Sequence, residues 1–353
     1  MKNCQESENS VGFFGKMVFI MLTAMLFYYS SDFLIKNYVK NETLASENKI
    51  KQDEVSLATI LESRKNNKEN STTTLAFVGD IMLDRGIEQK VQNKGKGDYN
   101  YIFANITDSL KKYNFIFGNL EGPVSDKGLD LHDLYSFRMN PDILPVLQAN
   151  GLSAVTIANN HIDNWGKPAL EDTILRLKSN NIIVTGGGFD SIEAYSPRIA
   201  TVGDIKVALL SYSEFGQNYE AKMSGSGIAI ISEDALRFGI AKAREEADIV
   251  VVNFHFGEEY QMKENSYQGK YAHLAVDLGA DLVVGHHPHV LQPLEKYKNS
   301  YIAYSLGNFI FDQPFSAETM QGGLLEVSIN NKMISDVVLR KIQLNQDFQP
   351  SLL

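Results

Sequence analysis

From Thr73 onward the chain is a succession of short apolar runs, each closing on a polar residue that can hold a metal ion. Thr74–Val78 leads into Gly79-Asp80, Phe115–Phe117 into Asn119 and Glu121, and Ala154–Ala158 into Asn159-Asn160-His161. Lys206–Leu210 ends at Ser211-Tyr212, Asp248–Phe254 at His255, Asp281–Val284 at the Gly285–His289 run, and Tyr301–Tyr304 at the stretch reaching Asn308. Runs of four to eight β-branched and aromatic residues read as buried strands. Between them, helical spacing is read at Ile87–Gln92, Lys167–Ser179, Ser232–Ala247 and Ser266–Leu278. Alternating strands and helices predict an α/β fold with buried, largely parallel strands. Gly323–Ile329 and Met333–Lys341, joined through Asn330-Asn331, predict a closing hairpin.

Loops at the carboxyl ends of strands converge on one crevice, so polar residues there form one candidate site. At or just past these ends lie Asp80, Asn119, Glu121, Asn160, His161, His255, His286, His287, His289 and Asn308 as candidate metal-site residues, with Asp84 and Glu259 as further candidates. Five of the seven histidines belong to this set; His132 reads as loop surface and His273 as helix packing or surface. Taken singly, most of these positions have a plain alternative: Gly79-Asp80 as a turn, Asn119 and Glu121 as caps, His255 as a core histidine. Three imidazoles within four residues at a strand end are much harder to explain without a ligand. Mixed oxygen and imidazole donors suit one or two divalent ions, Mn, Fe or Zn. Gly186-Gly187-Gly188 lacks the Gly-Lys-Ser/Thr of a phosphate-binding loop and reads as a turn.

Charge narrows the partners. The net charge is −10, and residues 1–70 hold nine basic and nine acidic side chains, so the whole excess falls on the remainder. Such a surface argues against nucleic acid as a partner. The single cysteine, Cys4, excludes a disulfide framework within the chain.

The N-terminal region reads differently. Residues 1–12 form a short tail, and 13–35 hold an apolar core, Met17–Tyr29, extended to spanning length with Lys16 and Asp32. No small-residue cleavage pattern follows, so this segment is read as an uncleaved signal anchor, a single-pass transmembrane helix. Residues 36–72, rich in Asn, Lys, Glu and Ser, read as a polar linker, and 73–345 as the folded domain. A short tail before a large domain predicts a cell-membrane protein with its domain extracytoplasmic.

Six segments, VGDIML (78–83), GNLEGPVS (118–125), ANNHIDNWG (158–166), NFHFGEEY (253–260), GADLVVGHHPHVLQ (279–292) and YSLGNFIFD (304–312), resemble the CapA/PgsA family of bacterial capsule proteins associated with poly-γ-glutamate. The resemblance covers roughly residues 74–315. It implies a four-layer α/β/β/α sandwich of the metallophosphoesterase type around a dinuclear centre. It further implies Asp80 as the first ligand, Glu121 or Asn119 in the bridging position, Asn160 and His255 as ligands, and His287 and His289 as the closing pair, with His286 as substitute. His161 would be the acid near the leaving group. The sequence departs from the phosphoesterase pattern in having Asp80-Ile81-Met82 for Asp-x-His and Asn119-Leu120-Glu121 for the bridging aspartate; Asp84 is the substitute ligand considered.

The implied function is membrane-anchored poly-γ-glutamate synthesis, export or release beside membrane capsule synthase subunits, on that or another anionic polymer. Two alternatives are a phosphoesterase cleaving an envelope phosphodiester or nucleotide by metal-bound hydroxide, and a non-catalytic scaffold of a synthase complex.

Overall fold

The computed structural model describes residues 72–353. The expected tail, membrane anchor and nearly all of the linker lie outside the described residues, among which no helix is long and apolar enough to cross a membrane. In chain order the strands are β1 (Thr73–Ile81), β2 (Phe115–Leu120), β3 (Leu152–Thr156), β4 (Ile183–Thr185), β5 (Gly187–Gly188), β6 (Arg198–Val202), β7 (Ile205–Ser213) and β8 (Gly227–Ile228). There follow β9 (Ile249–His255), β10 (Leu282–His286), β11 (Leu294–Tyr297), β12 (Ser300–Ala303), β13 (Asn308–Ile310), β14 (Gln321–Asn330), β15 (Met333–Leu344) and β16 (Pro350–Leu352).

One sheet runs β16-β15-β14-β1-β2-β3-β4, with β13 paired to the end of β1; the other runs β11-β12-β10-β9-β7-β6. β1 to β4 are mutually parallel, as are β7, β9, β10 and β12, while β14 to β16, β6 and β11 pair antiparallel. β5 and β8 form a separate two-stranded pair, so two of the three glycines expected in a turn are extended.

Strand parity assigns each apolar side chain to a layer. In β1, Leu75 and Phe77 join a core between the sheets that includes Phe115, Phe117, Leu209, Val251 and Val284. Ala76 and Val78 face the other way, into a core with Ile87, Leu170, Ile174 and Leu177 from the covering helices. In β9, Ile249 and Val251 face the first sheet, while Val250, Val252 and Phe254 meet Leu236, Ile240, Ala243 and Ala272 of two helices. The two sheets therefore lie face to face with helices on both outer surfaces.

Among the described residues, the four longer helices span Arg85–Asn93, Gly166–Ser179, Glu233–Glu246 and Ser266–Asp277. Ser232 caps the third by accepting from the Ala235 amide, and Asn265 with Gln268 forms a capping box on the fourth. The closing hairpin pairs Asn330 with Met333, and Asn331 (φ 50°) and Lys332 (φ 62°) make its turn. β16 adds to β15 at Ile342 to Leu344, which carries the domain past the expected limit at 345.

Candidate metal centre

The parity that fills the space between the sheets also builds the site. Phe115 and Phe117 face the intersheet core, and Asn119 continues that register at the end of β2. His255 continues Ile249 and Val251 in β9, and His286 continues Leu282 and Val284 in β10. Asp80 would fall on the wrong parity after Leu75 and Phe77. A register shift between Phe77 and Asp80 re-aims it, the work a bulge does at a sheet end. Asp80 then lies level with Asn119 on one side and Asn308 on the other.

Hydrogen bonds and close ionic approaches join these residues. Asn119 Nδ2 donates to Asp80 Oδ1 (2.8 Å) and Glu121 Oε2 (3.1 Å). Its Oδ1 accepts from Asn159 Nδ2 (3.0 Å), which also donates to the Leu120 carbonyl. His255 Nε2 is 2.7 Å from Asn160 Oδ1; since an amide oxygen only accepts, this nitrogen carries the proton. His289 Nδ1 lies 3.0 Å from Asn308 Oδ1 and 3.3 Å from Asp80 Oδ2, which turns its Nε2 towards Glu121 Oε1 at 3.6 Å. His161 Nδ1 donates to Asn164 Oδ1 (3.0 Å), leaving Nε2 3.8 Å from the same Glu121 oxygen.

Among the described residues, two sets of three bring ligand atoms within 4.8 Å of one another: Asp80, Glu121 and His289, and Glu259, His287 and His289. His289 is common to both. His287 (φ 98°) and His289 (φ 58°) sit in the left-handed region, backbone strain that positions both rings.

The cluster's charges are strongly perturbed. Burial opposes ionisation of Asp80, yet the His286 and His289 imidazoles hold its carboxyl well below the usual carboxylate range. Burial pushes Glu121 up to about 8, with the Asp80 charge adding to it. Burial would lower His289, but the Glu121 and Asp80 carboxylates outweigh it and raise the imidazole to about 9. His287 is brought down to about 3 by burial and by the His289 charge. Burial, then His287, holds His255 well below the ordinary imidazole range.

Several polar atoms have no hydrogen-bond partner although they are buried: Glu121 Oε1, both ring nitrogens of His286, and His287 Nδ1. His286 Nδ1 comes within 3.3 Å of Asp80 Oδ1 without hydrogen-bond geometry. Unpaired buried groups of this kind cost about 1–3 kcal/mol each. A cation supplies the missing partner for carboxylate oxygens and imidazole lone pairs alike, so the residues present fit a divalent ion.

Of the residues read from sequence, Asp80, Asn119, Glu121, His286, His287 and His289 pack together, with Asn160, His161 and His255 at their edge and Glu259 beside His287 and His289. Asn308 orients the His289 ring and donates through Nδ2 to Gln313 and the Thr319 carbonyl. Asp84 lies apart: its two oxygens accept from the Arg85 and Arg138 amides (both 2.7 Å), as a helix cap does. His132 is exposed and His273 pairs with Glu295 (3.0 Å) away from the cluster. Sequence reasoning missed Asn159 and Asn164, which hold Asn119 and His161; both lie in the 158–166 segment, where Asn repeats before and after the histidine.

A cavity of about 330 Å³ opens over His161, His289 and Glu259, with Tyr135, Tyr260 and Phe315 around its mouth. Arg85 is its one guanidinium, stacked 4.6 Å over the Phe137 ring and paired with Asp312. Nothing in the sequence around Arg85 signals this position.

The sequence model of the family described as bacterial capsule synthesis protein PGA_cap matches residues 74–313. Capsule biosynthesis protein CapA of Bacillus anthracis is 33% identical over 293 residues, 78% of this chain and 69% of that protein. PGA biosynthesis protein CapA of Bacillus subtilis (strain 168) is 33% identical over 248 residues, 67% of this chain and 63% of that protein. The chain thus spans about two thirds of the length of these relatives. A solved phosphatase from Mycoplasma pneumoniae aligns at 14% identity over 78% of this chain and 95% of that chain, with a TM-score of 0.48, too loose a likeness to argue from.

Proposed function

The chain belongs to the PGA_cap family of bacterial capsule synthesis proteins, and from that premise we propose that it acts in poly-γ-glutamate synthesis, export or release through a divalent-metal site of the metallophosphoesterase type. The observation that carries this reading is the buried donor cluster around Asp80, Glu121 and His289, with its unpartnered carboxylate oxygen and imidazole nitrogens. Asp80, Glu121, His287 and His289, with Glu259, His286, Asn119, Asn160 and His255 around them, would hold one or two ions. Bound there, such an ion supplies Lewis-acid polarisation and lowers the pKa of a coordinated water. The protein would work at the cell membrane, anchored by residues 13–35 with its domain extracytoplasmic, beside membrane synthase subunits. The relatives named for capsule and PGA biosynthesis support the polymer assignment.

The test pairs two measurements on the full chain. Metal analysis of the purified protein is expected to find divalent ion in stoichiometric amount, with His255→Ala or His287→Ala lowering it. A strain carrying His255→Ala is expected to change the amount, length or surface attachment of the polymer; an unchanged capsule would overturn the reading.

A second reading, hydrolysis of an envelope phosphodiester or nucleotide, is favoured by one feature: His161 lines the cavity with its Nε2 3.8 Å from Glu121 Oε1. Burial pulls this imidazole down to about 4, so its service as proton donor to a leaving oxygen depends on the negative charge of bound substrate. Phosphodiester turnover that needs Mn²⁺ and is lost in His161→Ala would select it. A protein that purifies without metal and rebinds none would leave the scaffold role.

A further inference from the structure

A second cavity, of about 450 Å³, is lined mainly by polar side chains, among them Arg138, Arg176, Ser125 and the carboxylates Glu88, Asp126 and Asp142. The segment 137–139 contributes to both cavities. Phe137 lines the cavity over the metal cluster, and its neighbour Arg138 lines the second. Three successive amides pin the segment. Phe137 N donates to Asn164 Oδ1 (3.0 Å), Arg138 N to Asp84 Oδ2 (2.7 Å) and Met139 N to the Pro123 carbonyl (2.8 Å).

The two guanidinium groups of this cavity differ in what they already hold. Arg176 is engaged by Asp172 (2.6 Å) and Asp126 (2.7 Å). Arg138 has no carboxylate within ion-pairing distance among the described residues, and its guanidinium lies 3.6 Å from the centre of the Trp165 ring. Stacking fixes the plane of the guanidinium and leaves its edge donors free, the arrangement suited to bidentate capture of a carboxylate. Glu88, Asp142 and the Arg176-paired Asp126 oppose an anion there, so a lone anion binds weakly, and tethering to a neighbouring bound unit is what makes the subsite effective.

We propose that Arg138 anchors a second subsite, which takes a carboxylate of an extended polyanionic chain while another unit of that chain occupies the cavity over the metal cluster. The proposal rests on the polymer reading above and adds the residue that would select chain over monomer. Phe137 would separate adjoining units, and Arg138 would set the register between them.

Trp165 is the only tryptophan in the chain, so its fluorescence reports on Arg138 directly. The full chain is titrated with γ-linked glutamate pentamer, with free glutamate, and with a glycerol phosphodiester oligomer of similar length. The pentamer is expected to change Trp165 emission saturably, with affinity at least tenfold above that of glutamate. Arg138→Gln should weaken pentamer binding fivefold or more, and Arg138→Lys, which keeps the charge and loses the fork, about threefold. Thermal unfolding matched to the parent protein guards against misfolding, and if Arg138→Gln fails to fold, Arg138→Lys decides. Pentamer affinity within twofold of the parent in both folded variants, or monomer binding as well as pentamer, overturns the subsite. Arg138-dependent binding of the phosphodiester oligomer alone retains an anion subsite at Arg138 but overturns both its carboxylate preference and the poly-γ-glutamate reading.

Discussion

Gly79 precedes Asp80 in β1, where the strand comes against the loop before β13. A methyl group at this position would sit 1.9 Å from the Gly307 carbonyl oxygen and 2.9 Å from that of Leu306. A contact of 3.0 Å is about the closest a side-chain carbon tolerates, so Gly79→Ala forces the two segments apart by roughly 1 Å. Overpacking of this kind costs about 1–3 kcal/mol. The Asp80 N–H bond to Gly307 O (2.9 Å) is strained with it, for about 1 kcal/mol more. The total is a loss of about 2–4 kcal/mol. The displacement also moves Asp80 and Asn308, both of which contact His289, so metal retention should fall with stability. Urea denaturation and metal analysis of the full chain measure the two effects. Gly269→Ala is the control: it lies in the helix Ser266–Asp277 with nothing within 4 Å of an added methyl, and should gain about 0.5–1 kcal/mol. A Gly79→Ala protein that matches its parent within about 0.5 kcal/mol and keeps its metal would refute the close-approach argument.

Other substitutions probe the charges and the ring positions. Glu121, raised from 4.5 to about 8, keeps its proton in the folded state at pH values where the unfolded chain has lost it. In metal-free protein that penalty is absent below about 4.5, grows as pH rises, and is complete above about 8. Glu121→Gln should therefore gain on the parent in unfolding free energy from urea denaturation between pH 5 and 8, by on the order of a few kcal/mol; parallel pH profiles would exclude this. Asn308→Ala frees the His289 ring and is expected to weaken metal binding about 10- to 100-fold in competition titrations, whereas an unchanged affinity would deny Asn308 that role. Asn164→Ala removes the acceptor for His161 Nδ1 and leaves Asp133 without its amide partner. It should lower stability by about 1–3 kcal/mol, measured by the same denaturation.

The strands that carry the candidate site, and the polar residues that close them, were legible because apolar runs and their terminal polar residues are local signals. Asn119, His255 and His286 could be placed by counting parity from the apolar residues before them. Asp80 could not, since the irregularity that re-aims it depends on pairing with β2 and β13, partners remote in sequence. Asp84 carries the same carboxylate chemistry as a ligand, and only tertiary structure reveals that two backbone amides already occupy it. The short helices Asn100–Phe103, Thr107–Leu110, Ile143–Ala149 and Ser191–Tyr195 went unread because one or two turns carry little periodicity. Arg85 and Arg138 went unread for a different reason: a solitary arginine has no pattern, and both acquire their meaning from the rings they lie against.

The donor set is divided between the two sheets. Asp80 and Asn119 lie on strands of one, with Glu121 just past β2, and His255 and His286 on strands of the other, with His287 and His289 just past β10. An ion held by both parties acts as a clasp across the domain, closing loops of well over a hundred residues. Its binding free energy is then inseparable from the free energy of folding: at one hundred times its dissociation constant it would add about 2.7 kcal/mol to the stability of the whole. Chelation would act first on the cooperativity between the halves, and a domain that melts in one transition with metal could melt in two without it.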